Sequence, residues 1–359
     1  MKQFILFFIS TIICAWGGGY FSNLEYEINT NLQKTNIKEE KSEQIPNSKN
    51  PKSFHSSSLT MLKDNYLLIT YFAGSKEGAK DVKIYANLKD NEKISDAFVL
   101  LDRQKLMSDT KEYIKKLGNP VLVTCNDKIH LFVVGVSFGG WANSKIYHYV
   151  SDINIIDFEF KQSLNLSPYL NISHLVKNNA INISFSDKQG FILPIYHELL
   201  NKYSLALVFD ESGELLKINK ITNKNGLFQP SVVALDNSKI LFTFRADKKA
   251  NNDLYTLTCD KYFKCSDLVK SNLKNYDNSV ALFNANNKIY LVYNSDLTGL
   301  RNTLSLALMD KNSNFTKLYD IDKGDEMSYA SVVNDDNSFY ISYTHNRDFI
   351  NLKQYLLKD

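Results

Sequence analysis

The 359-residue chain predicts an all-β fold, a six-bladed β-propeller. Three observations lead there. Helical periodicity is scarce from Phe54 onward. In its place one pattern recurs: a turn rich in Asn, Asp, Lys or Gly, then a β-prone apolar strand. The copies are also evenly spaced. DNYLLITYF, DKIHLFVV, KQGFILPIY, NSKILFTF, NNKIYLVY and DNSFYISY align at Leu67, Ile129, Phe191, Ile240, Ile289 and Phe339, at intervals of 62, 62, 49, 49 and 50 residues. A period of about 50 residues is that of a four-stranded blade. Such a sheet cannot bury both faces alone, so blades must pack face to face around an axis.

Taken in order, the chain opens with Lys2 and an uncharged apolar run from Phe4 to Phe21. Residues 1–22 read as a secretory signal or an uncleaved N-terminal anchor. The chain is therefore expected to be exported: periplasmic, anchored facing the periplasm, or at the cell surface. Residues 23–53 are polar with little periodicity and read as a linker between that segment and a folded body over 54–359. Between the repeated strands, Ser151-Asp152, Asp210–Gly213, Cys259-Asp260 and Met309-Asp310 have the composition of hairpin turns. In an oxidising compartment Cys259 and Cys265 can staple the short hairpin CDKYFKC. Cys125, in the apolar strand VLVTC, reads as a core residue.

Composition narrows the function. The formal net charge is only +3, which gives no footprint for nucleic acid. Lys and Arg total 42, but only Arg103, Arg245, Arg301 and Arg347 are arginines. An arginine kept in so lysine-rich a chain suggests a task that Lys cannot do, such as bidentate grip on a carboxylate. Ligand sites in propellers gather near the central channel, so the ends of the repeated strands matter. Arg245 ends one, Arg347 follows another, and Arg301 lies shortly after a third, which points to convergence on an anionic ligand. Tyr196-His197-Glu198 and Tyr293-Asn294 occupy related ends. The segment GSKEGAKD adds Glu77 and Asp81, a carboxylate pair suited to acid–base work on a glycosidic bond. There is no HExxH, no Cys/His set with ligand spacing, no phosphate-cradling glycine loop and no GxSxG elbow. No metal and no cofactor is expected.

The segments FHSSSL, LLITYFAGSKEGAKDVKIY, GNPVL, FGGWANSKI, LPIYHE, LFQPSVV, TFRAD, VYNSDLTGLRNTLSLAL and MSYASVV, in that order, resemble the sialidase-like (neuraminidase-like) proteins with BNR, or Asp-box, repeats. The resemblance runs from about Phe54 to the C-terminus and implies six blades. It implies an exo-glycosidase that releases a terminal α-ketosidic 2-keto acid sugar with retention. Arginines grip the sugar carboxylate, an acidic residue serves as acid/base, and a tyrosine is the nucleophile, because a neutral phenol avoids repulsion by the substrate's carboxylate. By order and spacing Arg245 resembles the second arginine and Arg301 the third, with Tyr329 the nucleophile. Glu77 resembles the acid/base, with Asp81 next. Two positions depart from the pattern. His55 stands where the first arginine belongs, with Arg347 as a possible replacement. Gln229 stands where a Glu should activate the tyrosine, leaving Glu198 or Glu326 to take that role. These departures suit either sialic acid or a related 2-keto-3-deoxy acid such as the Kdo of lipopolysaccharide, and equally a propeller that binds an acidic sugar without turnover. The expected partner is a carboxylate-bearing sugar of a glycan or lipopolysaccharide, with a membrane tether through the N-terminal segment as a further possibility.

Overall fold

The computed structural model of the protein describes residues 26–28 and 36–358, apart from 91, 186, 187, 286 and 336. The signal or anchor expected over 1–22 lies outside the described residues. The described residues are almost wholly β, with one α-helix among them, Arg103–Thr110. Six antiparallel sheets account for the strands.

Blade one runs Ser53–Met61, Leu67–Gly74, Lys83–Lys89 and Phe98–Leu101, from the innermost strand outward. Blades two (residues 116–163), three (174–220), four (227–274) and five (281–323) repeat that up-and-down order. The six repeated strands read from the sequence are the second strands of the six blades, beginning at Leu67, Lys128, Gln189, Lys239, Lys288 and Ser338. These strands are paired on both edges and packed on both faces. They therefore read as nearly continuous apolar runs.

Six hydrophobic clusters hold the ring, one for each pair of adjacent blades. Leu207, Phe209 and Phe132 join blades two and three, for example, and Phe339, Tyr355 and Phe283 join blades five and six. The core is thus a set of six wedges rather than one central mass. Turns between third and fourth strands are tied alike in five blades. The carboxylates of Asp90, Asp152, Asp210, Asp260 and Asp310 each accept the backbone N–H two residues on, at 2.8–3.0 Å. The expected turns at 151–152, 210–213, 259–260 and 309–310 are all among them. Cys259 and Cys265 form a disulfide across the turn of blade four, and Cys125 is free and buried.

The linker expected over 23–53 is corrected. Strand Asn36–Gln44 pairs antiparallel with Phe349–Lys358 and is the outermost strand of blade six, whose inner three strands come from the C-terminus. Pairing with that open edge satisfies its backbone, and Lys353 bonds Glu39 across it. Glu27–Ile28 pairs with Ile183–Ser184 on blade three, and the Tyr26 ring packs on Phe185. The folded body therefore starts well before Phe54. A chain beginning at residue 54 is expected to lose the strand that closes the ring. Calorimetry should show a Tm lower than that of a chain beginning at residue 26 by at least ~5 °C. Equal Tm values would mean that the first strand does not hold the ring shut.

Candidate active site

The innermost strands of blades one, two, four and six slip register, and those of blades one, four and six share a further irregularity. Register slips between His55 and Ser58, between Phe228 and Ser231, and between Ser328 and Ser331. In each bulge one non-glycine residue takes a positive φ: Ser56 (52°), Gln229 (48°) and Tyr329 (56°). Bulges of this kind re-aim side chains, here near the channel. A serine two residues on fastens each bulge to the next blade. Ser58 Oγ accepts from Leu122 N, Ser231 Oγ from Leu282 N, and Ser331 Oγ from Leu59 N, at 3.0, 2.9 and 3.2 Å.

Around the end of the channel where these strands begin, blade edges deliver charge. Arg245 ends the second strand of blade four. Its Nε donates to Asp277 at 2.8 Å and its Nη1 to the Tyr329 hydroxyl at 3.2 Å. Its guanidinium also lies 5.0 Å from the Phe228 ring centre. Arg301, in the loop before the third strand of blade five, donates Nε to Asn278 at 2.8 Å and Nη1 to Glu326 at 3.3 Å. It sits 5.7 Å from the Tyr329 ring centre. Arg347, in the turn after the second strand of blade six, donates Nε to Glu326 at 2.7 Å and Nη1 to Glu77 at 2.6 Å. The buried His55 ring lies 4.3 Å from that of Tyr329. Two arginines thus converge on one phenol, with the third arginine and the histidine beside them.

Titration follows from these neighbours. Burial, with Arg347 close by, pushes His55 well below the usual imidazole value, so it is neutral at pH 7. Burial raises the Glu326 carboxyl, but the hydrogen bond from Arg347 and nearby positive charge outweigh it and bring it down to about 2. Burial raises Glu198, partly offset by Arg245 and Lys202. Burial pushes the Tyr196 phenol well above its ordinary value.

Most residues expected at the site come together here: Tyr329, Arg245, Arg301, Arg347, His55 and Glu77. Glu198 lies within electrostatic range of Arg245. Gln229 is at the site, but its amide Nε2 donates to the Tyr196 hydroxyl at 3.3 Å. Three expectations are corrected. Asp81 is exposed, and its carboxylate caps the Ser75 turn through Ser75 N and Oγ at 2.8 Å each, so turn geometry uses it up. Asn294 does not line a ligand site. Its buried amide donates to the carbonyls of Met327 and Thr303, bracing the strand that carries Tyr329. Glu326 does not activate Tyr329, because both its oxygens are engaged by Arg301 and Arg347. Sequence reasoning missed Asp277, Asn278, Tyr196 as the partner of Gln229, and Lys177. Among the described residues no cluster of three or more His, Cys, Asp or Glu could hold a metal ion.

Removing the shared counter-ion exposes its role. Glu326→Gln leaves Arg301 and Arg347 without their common carboxylate. It is expected to cost about 1.5–3 kcal/mol at pH 7, read from denaturant melts. The Glu326 pKa is lower in the folded protein than in the unfolded chain. Its stabilisation is therefore full above about pH 4.5 and is lost as pH falls toward about 2. The gap between variant and wild type should close over that window. A gap independent of pH would assign the loss to something other than charge.

A family model for the BNR repeat-like domain matches residues 65–341. Among solved structures, the NanB sialidase of Streptococcus pneumoniae superimposes with a TM-score of 0.66 at 12% identity, over 89% of this chain and 70% of that one. A Dyadobacter fermentans protein of unknown function gives 0.66 at 10% identity, over 90% and 99%. The Trypanosoma rangeli sialidase gives 0.63 at 13%, over 92% of this chain but only 59% of its own. At such identities the likeness is one of fold. No curated protein matches the chain in sequence.

Proposed function

The chain belongs to the BNR repeat-like domain family, and from that premise we propose that it is an exported exo-glycosidase of the sialidase type. Its substrate would be a terminal α-ketosidic 2-keto acid sugar, sialic acid or a relative such as Kdo, on a surface glycan or lipopolysaccharide. One observation carries this reading: Arg245 bonds the Tyr329 hydroxyl while Arg301 lies against the Tyr329 ring. A nucleophile for a carboxylate-bearing anomeric carbon needs that company. The guanidiniums hold the carboxylate, and the phenol beside them attacks without charge repulsion. Attack forms a tyrosyl–sugar bond as the glycosidic bond breaks; the phenolic proton passes to Glu198, the carboxylate near Tyr196 and Arg245, and returns to the phenolate when water frees the sugar. Glu77 gives a proton to the departing oxygen and then takes one from the water that frees the sugar. Before doing so Glu77 must leave Arg347, to which it is bonded at 2.6 Å.

A second reading, an acidic-sugar-binding propeller without turnover, is favoured by the surroundings of the phenol. Among the described residues no carboxylate is seen bonded to Tyr329. Gln229 cannot accept a phenolic proton, and Glu326 is held by two arginines.

Purified protein should release free acid from sialyl or Kdo α-ketosides. Tyr329→Phe should stop release while the free acid still binds. Arg301→Ala should weaken binding about 10- to 150-fold, the loss of a charge-assisted contact of ~1.5–3 kcal/mol. Wild-type binding without release selects the second reading, and cleavage by Tyr329→Phe at the wild-type rate removes the tyrosine mechanism.

A further inference from the structure

The innermost strand of blade three is broken. It runs His174–Val176, then resumes at Ile181–Ser184. Within the gap, Lys177, Asn178 and Asn179 reach other blades. Asn178 Nδ2 donates to the carbonyls of Gln229 and Pro230 on blade four, at 3.2 and 2.9 Å. Asn179 Nδ2 donates to Val332 O on blade six at 2.8 Å, and its Oδ1 accepts from Ser331 Oγ at 2.8 Å. Lys177 crosses to blade six, where its ammonium nitrogen donates to the carbonyl of Ala330. The three side chains thus grip the backbone of two of the three bulges, those presenting Gln229 and Tyr329.

Lys177 differs from its neighbours in being able to carry a charge. It is only 1% exposed, and its Nζ lies 5.9 Å from the Tyr329 ring centre. Its ammonium bonds a neutral carbonyl, and among the described residues no carboxylate pairs with it. The Tyr329 ring on blade six lies near it, and it is within electrostatic range of His55 on blade one. Burying a cation without a counter-ion is costly. That cost falls when an anion enters the pocket beside it.

We propose that Lys177 is a positioning residue for this site: it pins the bulge that presents Tyr329, and its ammonium supplies a buried positive charge whose counter-ion is the carboxylate of the incoming sugar. The second half rests on the reading of the site as one for acidic sugars. The first does not. In the empty protein burial lowers Lys177 to about 7, and His55 is already neutral at pH 7. Binding an anion favours the charged form of Lys177. At pH 8 the complex therefore takes up a proton that the empty protein lacks.

Calorimetric titration of the full chain with N-acetylneuraminic acid and with Kdo, at pH 8 in buffers of different ionisation enthalpy, reads this uptake directly. Wild type is expected to take up a substantial fraction of one proton. Lys177→Met is expected to take up none and to bind at least tenfold more weakly, and Lys177→Arg to recover affinity without the uptake. Equal uptake in Lys177→Met, or affinity within twofold of wild type, overturns the counter-ion role. A crystal structure of Lys177→Met decides the positioning role whether or not either acid binds. Loss of the positive φ at Tyr329 or of its bond to Arg245 is expected, and an unchanged Tyr329 overturns it. If wild type binds neither acid, the acidic-sugar reading fails and takes the counter-ion role with it, while the crystal structure still decides the positioning.

Discussion

A blade has two apolar faces and cannot cover either by itself. That constraint organises the protein. Six wedges of Leu, Ile, Val and Phe between neighbouring blades satisfy it only if the ring closes. Closure falls to residues 36–44, which add the last strand to a sheet begun at the other end of the chain. With apolar packing confined to the wedges, the axis is left to backbone edges and polar side chains. Asn284 donates to Ala234 O and Asn334 to Asn284 O, passing hydrogen bonds from blade to blade. The site occupies the axis because there the fold leaves polar groups that a ligand can meet.

The three arginines of the pocket are paired before any ligand arrives. Arg245 has Asp277, while Arg301 and Arg347 share Glu326, and Arg347 also holds Glu77. These partners fix the guanidinium planes, so little side-chain entropy remains to be lost on binding. They also rank the arginines. Arg347 has every nitrogen directed at a carboxylate. Arg245 keeps one nitrogen on Tyr329. On the proposed reading, the grip on an incoming carboxylate would therefore fall first to Arg245 and Arg301. Arg347 orders Glu77 and Glu326.

What could be read from the sequence follows from burial. The second strand of each blade is enclosed on both faces, so its residues must be apolar and its ends must turn; both marks are visible in the chain. Asn36–Gln44 shows neither, because most of its side chains meet solvent and its pairing is dictated by a partner more than 300 residues away. Tyr329, Arg245 and Arg301 were legible through order and spacing within a resemblance. Asp81 was not separable from Glu77, since only the Ser75 turn shows which carboxylate is consumed. Lys177 was hidden for a different reason. Its one trace is a polar KNN interrupting an apolar stretch, and its meaning depends on carbonyls about 150 residues away.

Gln229 brings these threads together. Its backbone sits in a bulge equivalent to that of Tyr329, and Asn178 grips it from blade three. Its side chain turns to Tyr196 rather than to Tyr329, and its own carbonyl oxygen is buried without a recorded partner. A Glu at that place would bring a second carboxylate near Glu198, whose carboxyl burial already raises. The amide avoids that repulsion and still donates to a buried phenol. The pocket thus combines the same bulge geometry at both positions with an amide at one and a phenol at the other. Among the described residues the charged side chain bonded to the Tyr329 hydroxyl is Arg245, a cation and not a carboxylate, an arrangement suited first to holding an anion and only then to moving a proton.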